Sequence, residues 1–294
     1  MPITVHVAPE PAPDVEAAVR AAGAEIAPLE QADGLVWVDS NPDGFPASLP
    51  GGVRWVQLPS AGVERWLHLI DRERDWTSAA GAFGHAVAEH ALMLMLAGAR
   101  RLADFARATS WSRPPIASLE GATVAIVGTG SIGRALIELL EPFRVEVLAV
   151  TRRGRDGTIP VSRLDEVWPR ADHVVVAAPA TADTRHLVGA AELEAMREHA
   201  WLVNIARGAV VDTDALVGAL ARGAIGGAAL DVTDPEPLPY GHALWTEERA
   251  IITPHVANPE RTLRRYLAEL VGVNVRRFAA GEELRSLIDR EAGY

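Results

Sequence analysis

The sequence predicts an α/β protein of two domains. Its 294 residues suit two hydrophobic cores of ordinary domain size, and a hydrophobic content of 49% excludes a disordered chain. Short continuous apolar runs alternate with stretches of helical period, as in parallel sheets buried on both faces. One such run leads directly into a glycine-rich turn and then a helix, at ATVAIVGTGSIGRALIELL.

In the first third, Ile3 to Val7, Leu35 to Val38 and Val53 to Leu58 read as strands, and Asp14 to Ala22 and Gly62 to Ile70 as helices. The breaks PEPAP and NPDGFP separate them with residues of fixed or permissive φ. A long helix is expected from Gly84 to Ala108. It is apolar on more than one face around Leu92, Met93, Leu94, Met95 and Leu96, which suits burial within the chain or a subunit contact. After the loop WSRPPIASLEG, strands are expected at Thr123 to Val127, Val145 to Ala149, His173 to Ala177, Ala200 to Ile205, Gly227 to Leu230 and Ala250 to Ile252. Helices at Ile132 to Leu140, Ala190 to Arg197, Thr213 to Ala221 and Glu260 to Phe278 cover that second sheet.

The charge narrows the function. The net charge is −11, and acidic residues outnumber basic ones on both sides of Ser110, so a general nucleic-acid binder is excluded. Every basic residue among the 28 is arginine, which removes Schiff-base and P-loop lysine chemistry but leaves guanidinium groups for carboxylates or phosphates. With no cysteine, thiol nucleophiles, disulfides and thiolate metal sites are excluded. The amino terminus lacks the pattern of a secretory signal, and the apolar stretch Ala86 to Ala97 is too short to cross a bilayer, so a soluble cytoplasmic protein is expected.

Gly128, Gly130 and Gly133 realise G-x-G-x-x-G where that pattern has a mechanism. The first glycine makes the tight turn, the second admits a pyrophosphate to the backbone, and the third lets helix and strand approach. Amides of Ser131 and Ile132 then open the helix toward the anion. A dinucleotide-binding, Rossmann-like domain follows. At the end of its next strand, where an acidic residue normally accepts from the ribose of NAD, the sequence reads LAVTRRGRDG. Thr151 removes the carboxylate, and Arg152 and Arg153 can hold a 2′-phosphate, so NADP(H) is favoured while NAD(H) stays open; a solvated arginine loop is the structural alternative.

The ends of later strands carry NIARG, LDVTDPEPLP and ITPHVA, on the side of a parallel sheet where ligands bind. Arg207 can hold an acidic substrate, Glu236 can orient a histidine, and His255 can exchange a proton. Taken singly, each has a plainer account as an ion pair, a turn residue or a loop residue. His90 reads as a packed or subunit-facing helix residue. The histidines form no metal motif.

Taken in order, VQLPSAGVE, AVAEHALMLMLA, IVGTGSIGRAL, PATADTRHLVG, NIARGAVVDTDAL, ALDVTDPEPLP, IITPHVA and NVRRFAAGEEL resemble the NAD(P)-dependent D-isomer-specific 2-hydroxyacid dehydrogenases. The resemblance covers most of the chain and is weakest over the first 50 residues. It implies a dinucleotide-binding domain at 84–284 inserted into a discontinuous substrate-binding domain at 1–83 and 285–294, both Rossmann-like, and a homodimer built on the helix beginning near Gly84. It further implies Arg207, Glu236 and His255 as the catalytic set, backbone contacts to a substrate carboxylate from Ser60, Ala61, Gly62 and Val63, and Asp231 beside the nicotinamide amide. The implied reaction is reduction of a small 2-oxoacid such as glyoxylate or hydroxypyruvate, and its reverse. The alternative is a dinucleotide-sensing interaction protein, similar to co-repressors related to this family.

Overall fold

The computed structural model describes residues 2–291 and 293. The chain forms two compact units, Met1–Phe83 with Pro259–Tyr294, and Gly84–Asn258.

In the first unit, β1 (Thr4–Ala8), α1 (Pro13–Ala21), β2 (Glu25–Ile26), β3 (Gly34–Trp37), β4 (Trp55–Gln57) and β5 (Asp75–Thr77) build a parallel five-stranded sheet in the order β2-β1-β3-β4-β5. Trp37, Trp66 and Trp76 are buried in its core, with Phe45 packed edge-on against Trp37 and Trp66. No helix forms over residues 62–70. Val63, Trp66 and Ile70 are buried, but Trp66 N bonds to Val63 O and Leu69 N to Trp66 O, both three-residue turns. Apolar spacing of three and four serves consecutive turns as well as a helix, which explains the discrepancy.

The second unit holds α2 (Gly84–Ala99), α3 (Leu102–Arg107), β6 (Thr123–Val127), α4 (Ser131–Leu140), β7 (Glu146–Thr151), β8 (Ile159–Pro160), β9 (His173–Val176), α5 (Ala190–Ala195), β10 (Trp201–Asn204), α6 (Thr213–Arg222), β11 (Gly227–Leu230) and β12 (Ala250–Ile252). Its seven strands run parallel in the order β12-β11-β10-β9-β6-β7-β8. Ala125, Val127, Val174, Val176 and Leu202 share one buried cluster with Leu193, Leu216 and Leu220 of α5 and α6. On α2, Gly98 lies so close to the Trp201 ring that a Cβ would fall 2.5 Å from it. The long helix expected from Gly84 to Ala108 is instead two, because Arg101 takes a left-handed φ of 52° between α2 and α3.

The last helix, α7 (Glu260–Ala280), corrects the expected return at residue 285. It belongs to the first unit and packs on α1 rather than covering the second sheet. Leu267, Val271 and Val275 are buried, and the fully buried Asn274 explains the allegiance: its Nδ2 donates to Gln57 Oε1 of β4 at 2.9 Å, and its Oδ1 accepts from Arg285 N at 2.8 Å. A buried amide must satisfy its polar atoms, and here its partners lie in the first unit. The carboxyl ends of β6, β9, β10, β11 and β12 therefore gather the motif-bearing loops of the second unit.

Candidate active site

The turn after β6 has the geometry that its sequence requires. Gly128 has φ +102°, and a Cβ there would lie 2.7 Å from the Ala177 carbonyl carbon in the loop leaving β9. Gly133 brings the first turn of α4 onto this turn, since its Cβ would lie 2.3 Å from Gly128 O. By contrast, Gly130, the residue capping α4, has open space around its missing Cβ. Two glycines are thus filled by backbone and the middle one leaves a bare approach to the amides of Ser131 and Ile132. This cradle fits a dinucleotide pyrophosphate.

Thr151 closes β7, where its Oγ1 lies 2.6 Å from Thr158 Oγ1 and accepts from Gly154 N at 3.0 Å. Arg152 and Arg153 are exposed, and Arg152 Nη2 lies 3.7 Å from Asp183 Oδ2, a solvated pair of small energetic weight.

Arg207 follows β10. Asn204, at the end of that strand, is buried and ties the turn from inside: its Nδ2 donates to Arg207 O at 2.9 Å and its Oδ1 accepts from Ala206 N at 3.1 Å. Nη1 of Arg207 donates to Ala206 O at 2.7 Å. The adjacent Gly208 presses on the loop leaving β11, with its missing Cβ 1.9 Å from Thr233 O. That loop leads to Glu236, whose Oε1 lies 2.7 Å from His255 Nδ1. Both side chains are about half exposed, at 42% and 50%. With Nδ1 committed to Glu236, Nε2 is the nitrogen that can face a substrate.

His255 sits in a left-handed conformation at φ 55°, with its amide donating to Asp231 O at 2.8 Å. The Asp231 carboxylate is buried and turned inward, accepting from Thr253 Oγ1, Val256 N and Ala257 N. Burial works against its charge, but these donors and His90 outweigh it and hold the pKa at about 2. His90 and Thr253 were not among the expected site residues, and neither carries a motif pointing to this bond across 163 residues.

Ser60, Ala61, Gly62 and Val63 lie in the first unit, in the loop after β4. Ser60 Oγ donates to Gly62 O at 2.7 Å, Ser60 O accepts from Ala79 N at 2.9 Å, and Val63 is buried, so the loop is fixed from both sides. Among the described residues no cluster of His, Asp or Glu could hold a metal ion, and no helix is long and apolar enough to cross a membrane.

Residues 91–257 match the family described as D-isomer specific 2-hydroxyacid dehydrogenase, NAD binding domain. The chain belongs to this family. It is 39% identical over 279 residues to an uncharacterized protein from Corynebacterium melassecola, covering 90% of this chain and 91% of that one. It is 37% identical over 224 residues to a glyoxylate reductase from Thermococcus gammatolerans, covering 70% of this chain and 67% of that one. A crystal structure of an NADPH-dependent glyoxylate/hydroxypyruvate reductase from Sinorhizobium meliloti, in complex with NADP and sulfate, superposes with a TM-score of 0.82. It is 27% identical and covers 100% of this chain and 99% of that one. As a D-isomer-specific 2-hydroxyacid dehydrogenase, the chain is an NAD(P)-dependent oxidoreductase of small 2-oxoacids and 2-hydroxyacids.

Proposed function

We propose that this dehydrogenase reduces glyoxylate or hydroxypyruvate to the corresponding 2-hydroxyacid with NADPH, and that His255, Glu236 and Arg207 carry the reaction. The observation that bears most weight is the His255 Nδ1 to Glu236 Oε1 contact of 2.7 Å, made by loops at the carboxyl ends of β11 and β12 and pressed against the Arg207 turn through Gly208. The bound nicotinamide supplies the hydride. His255 gives its Nε2 proton to the carbonyl oxygen as that oxygen becomes the hydroxyl, and takes it back in oxidation. Glu236, with Oε1 at 2.7 Å from Nδ1, fixes the orientation of the ring. Arg207 offers a planar donor fork to the substrate carboxylate and to the oxygen on which charge develops.

Thr151, with no carboxylate to repel a 2′-phosphate, and the exposed Arg152 and Arg153 support NADPH as the preferred reductant. The cradle at Gly128, Gly130, Ser131, Ile132 and Gly133 holds the pyrophosphate. Met93, Leu102, Phe105, Trp111 and Ile116 are exposed apolar residues on and after α2, Trp111 at 90%, and they support a two-fold homodimer. Light scattering that shows a monomer across micromolar concentrations contradicts the dimer. Initial rates for a panel of 2-oxoacids, each with NADH and NADPH, test substrate and reductant together. Best turnover of glyoxylate or hydroxypyruvate with NADPH is expected; a clear preference for a bulky 2-oxoacid, or for NADH, overturns the corresponding half.

A further inference from the structure

Among the described residues of the first unit, the buried polar side chains are Gln57, Thr77, Ser78 and Asn274, and they interlock at the ends of β4 and β5. Gln57 uses its amide completely. Its Nε2 donates to Leu58 O and to Ser78 O, each at 2.9 Å, and its Oε1 accepts from Thr77 Oγ1 and from Asn274 Nδ2, each at 2.9 Å. Asn274 of α7 also donates from Nδ2 to Arg285 O at 3.2 Å and accepts from Arg285 N at 2.8 Å. With donors and acceptors matched in this way, each amide has one orientation.

What this clamp holds is main chain. Leu58 opens the loop after β4, Ser78 opens the segment after β5, and Arg285 lies in the chain returning from α7. The three pieces are stitched further, with Ser78 N donating to Ser286 O at 2.9 Å, Ser286 Oγ to Ala80 O at 2.6 Å and Ala79 N to Ser60 O at 2.9 Å. Beyond Ser60 the pattern reverses. The amides of Ala61, Gly62 and Val63 donate to no acceptor among the described residues. Successive amides without an acceptor, on a fixed loop at the carboxyl end of a parallel strand, suit an anion. We propose that Gln57 and Asn274 are positioning residues, whose interlocked amides set the loop after β4 from behind and so fix the amides of Ala61, Gly62 and Val63 that receive the carboxylate of a 2-oxoacid. The proposal rests on the reading of residues 60–63 as contacts to that carboxylate. It gives α7, which carries none of the expected site residues, a part in substrate affinity.

The experiment uses the full-length protein with NADPH bound and glyoxylate as the probe substrate. KM and kcat, the NADPH dissociation constant and the melting temperature are measured for N274L, N274D, V271A and G62P. N274L removes the donor to Gln57 and both bonds to Arg285, and is expected to raise KM for glyoxylate about tenfold while kcat and the NADPH dissociation constant stay within about threefold of wild type. Val271, fully buried on α7 but outside the clamp, is the control: V271A is expected to lower the melting temperature and leave KM unchanged. N274D keeps the shape, and its carboxyl can donate to Gln57 only while protonated, so its KM relative to wild type is expected to climb as pH rises. A folded N274L with wild-type KM overturns the proposal, as does a V271A that raises KM to the same extent. If N274L does not fold, a KM ratio for N274D that is flat with pH overturns it instead. G62P takes away an amide of the loop itself. Wild-type KM in G62P removes the reading on which the proposal stands, whereas a raised KM in G62P beside an unchanged KM in N274L keeps that reading and removes the positioning role.

Discussion

Replacing Gly208 with alanine should disable this enzyme without touching a group that bears charge. An added Cβ would fall 1.9 Å from Thr233 O, 2.0 Å from Thr233 C and 2.5 Å from Asp234 N, all of them backbone atoms with no rotamer to release. Ordinary contact begins near 3.4 Å, so one loop must retreat by about 1.5 Å. The loops in question are those carrying Arg207 and Glu236, so the retreat separates the substrate fork from the proton relay. A displacement of that size is expected to cost on the order of 10²-fold in kcat/KM, together with about 1–3 kcal/mol of stability from overpacking. Steady-state kinetics with glyoxylate and NADPH, NADPH titration and thermal melting read the three effects separately. Gly218→Ala is the control, because its Cβ meets only the flexible Arg222 guanidinium in α6 and should leave kinetics unchanged. G208A with wild-type kcat/KM would refute the claim that the two loops are coupled through this contact.

Gly133→Ala drives a Cβ to 2.3 Å from Gly128 O, and is expected to weaken NADPH binding about tenfold or more; calorimetry showing wild-type affinity would contradict the cradle. His173 in β9 is 3% exposed, and its Nδ1 has no hydrogen-bond partner among the described residues. Burial, opposed in part by the Asp172 carboxylate, lowers its pKa from 6.5 to about 4. The folded chain therefore resists a proton that the unfolded chain accepts below pH 6.5, so stability is kept above that pH and falls, by about 3 kcal/mol, as pH drops toward 4. Denaturant unfolding of His173→Leu across this window should lack that loss, and an unchanged pH slope would exclude His173 as its source. Replacing Arg152 and Arg153 together with alanine should raise KM for NADPH more than for NADH; equal effects on both would remove these arginines from phosphate recognition.

What was legible in the sequence was mostly local. GTGSIG could be read because strand, turn and helix are contiguous: Gly128 and Gly133 answer to backbone contacts with the loop after β9 and within the turn, and Gly130 to the open space it leaves. The ordered motifs single out Arg207, Glu236 and His255, and the structure brings Glu236 Oε1 to 2.7 Å from His255 Nδ1. The allegiance of α7 was not, since an amphipathic pattern shows that a face is buried but not what covers it; the bond from Asn274 to Gln57 spans 217 residues. The turns at Val63, Trp66 and Ile70 imitate helical spacing, and the helix break at Arg101 has no proline or glycine at the break to mark it. Asp231 was legible as an acidic residue at a strand end, but its carboxylate direction depends on Thr253, Val256, Ala257 and His90, which no pattern joins to it.

In the proposed mechanism His255 supplies the proton in reduction of a 2-oxoacid. The most direct test is the single-turnover rate of glyoxylate reduction by His255→Ala, with NADPH saturating and its dissociation constant measured alongside. Loss of about 10²-fold or more in rate, with NADPH affinity and folding retained, is the predicted result. A folded, NADPH-bound His255→Ala protein that reduces glyoxylate at the wild-type rate, with hydride transfer shown to limit that rate, would contradict the account.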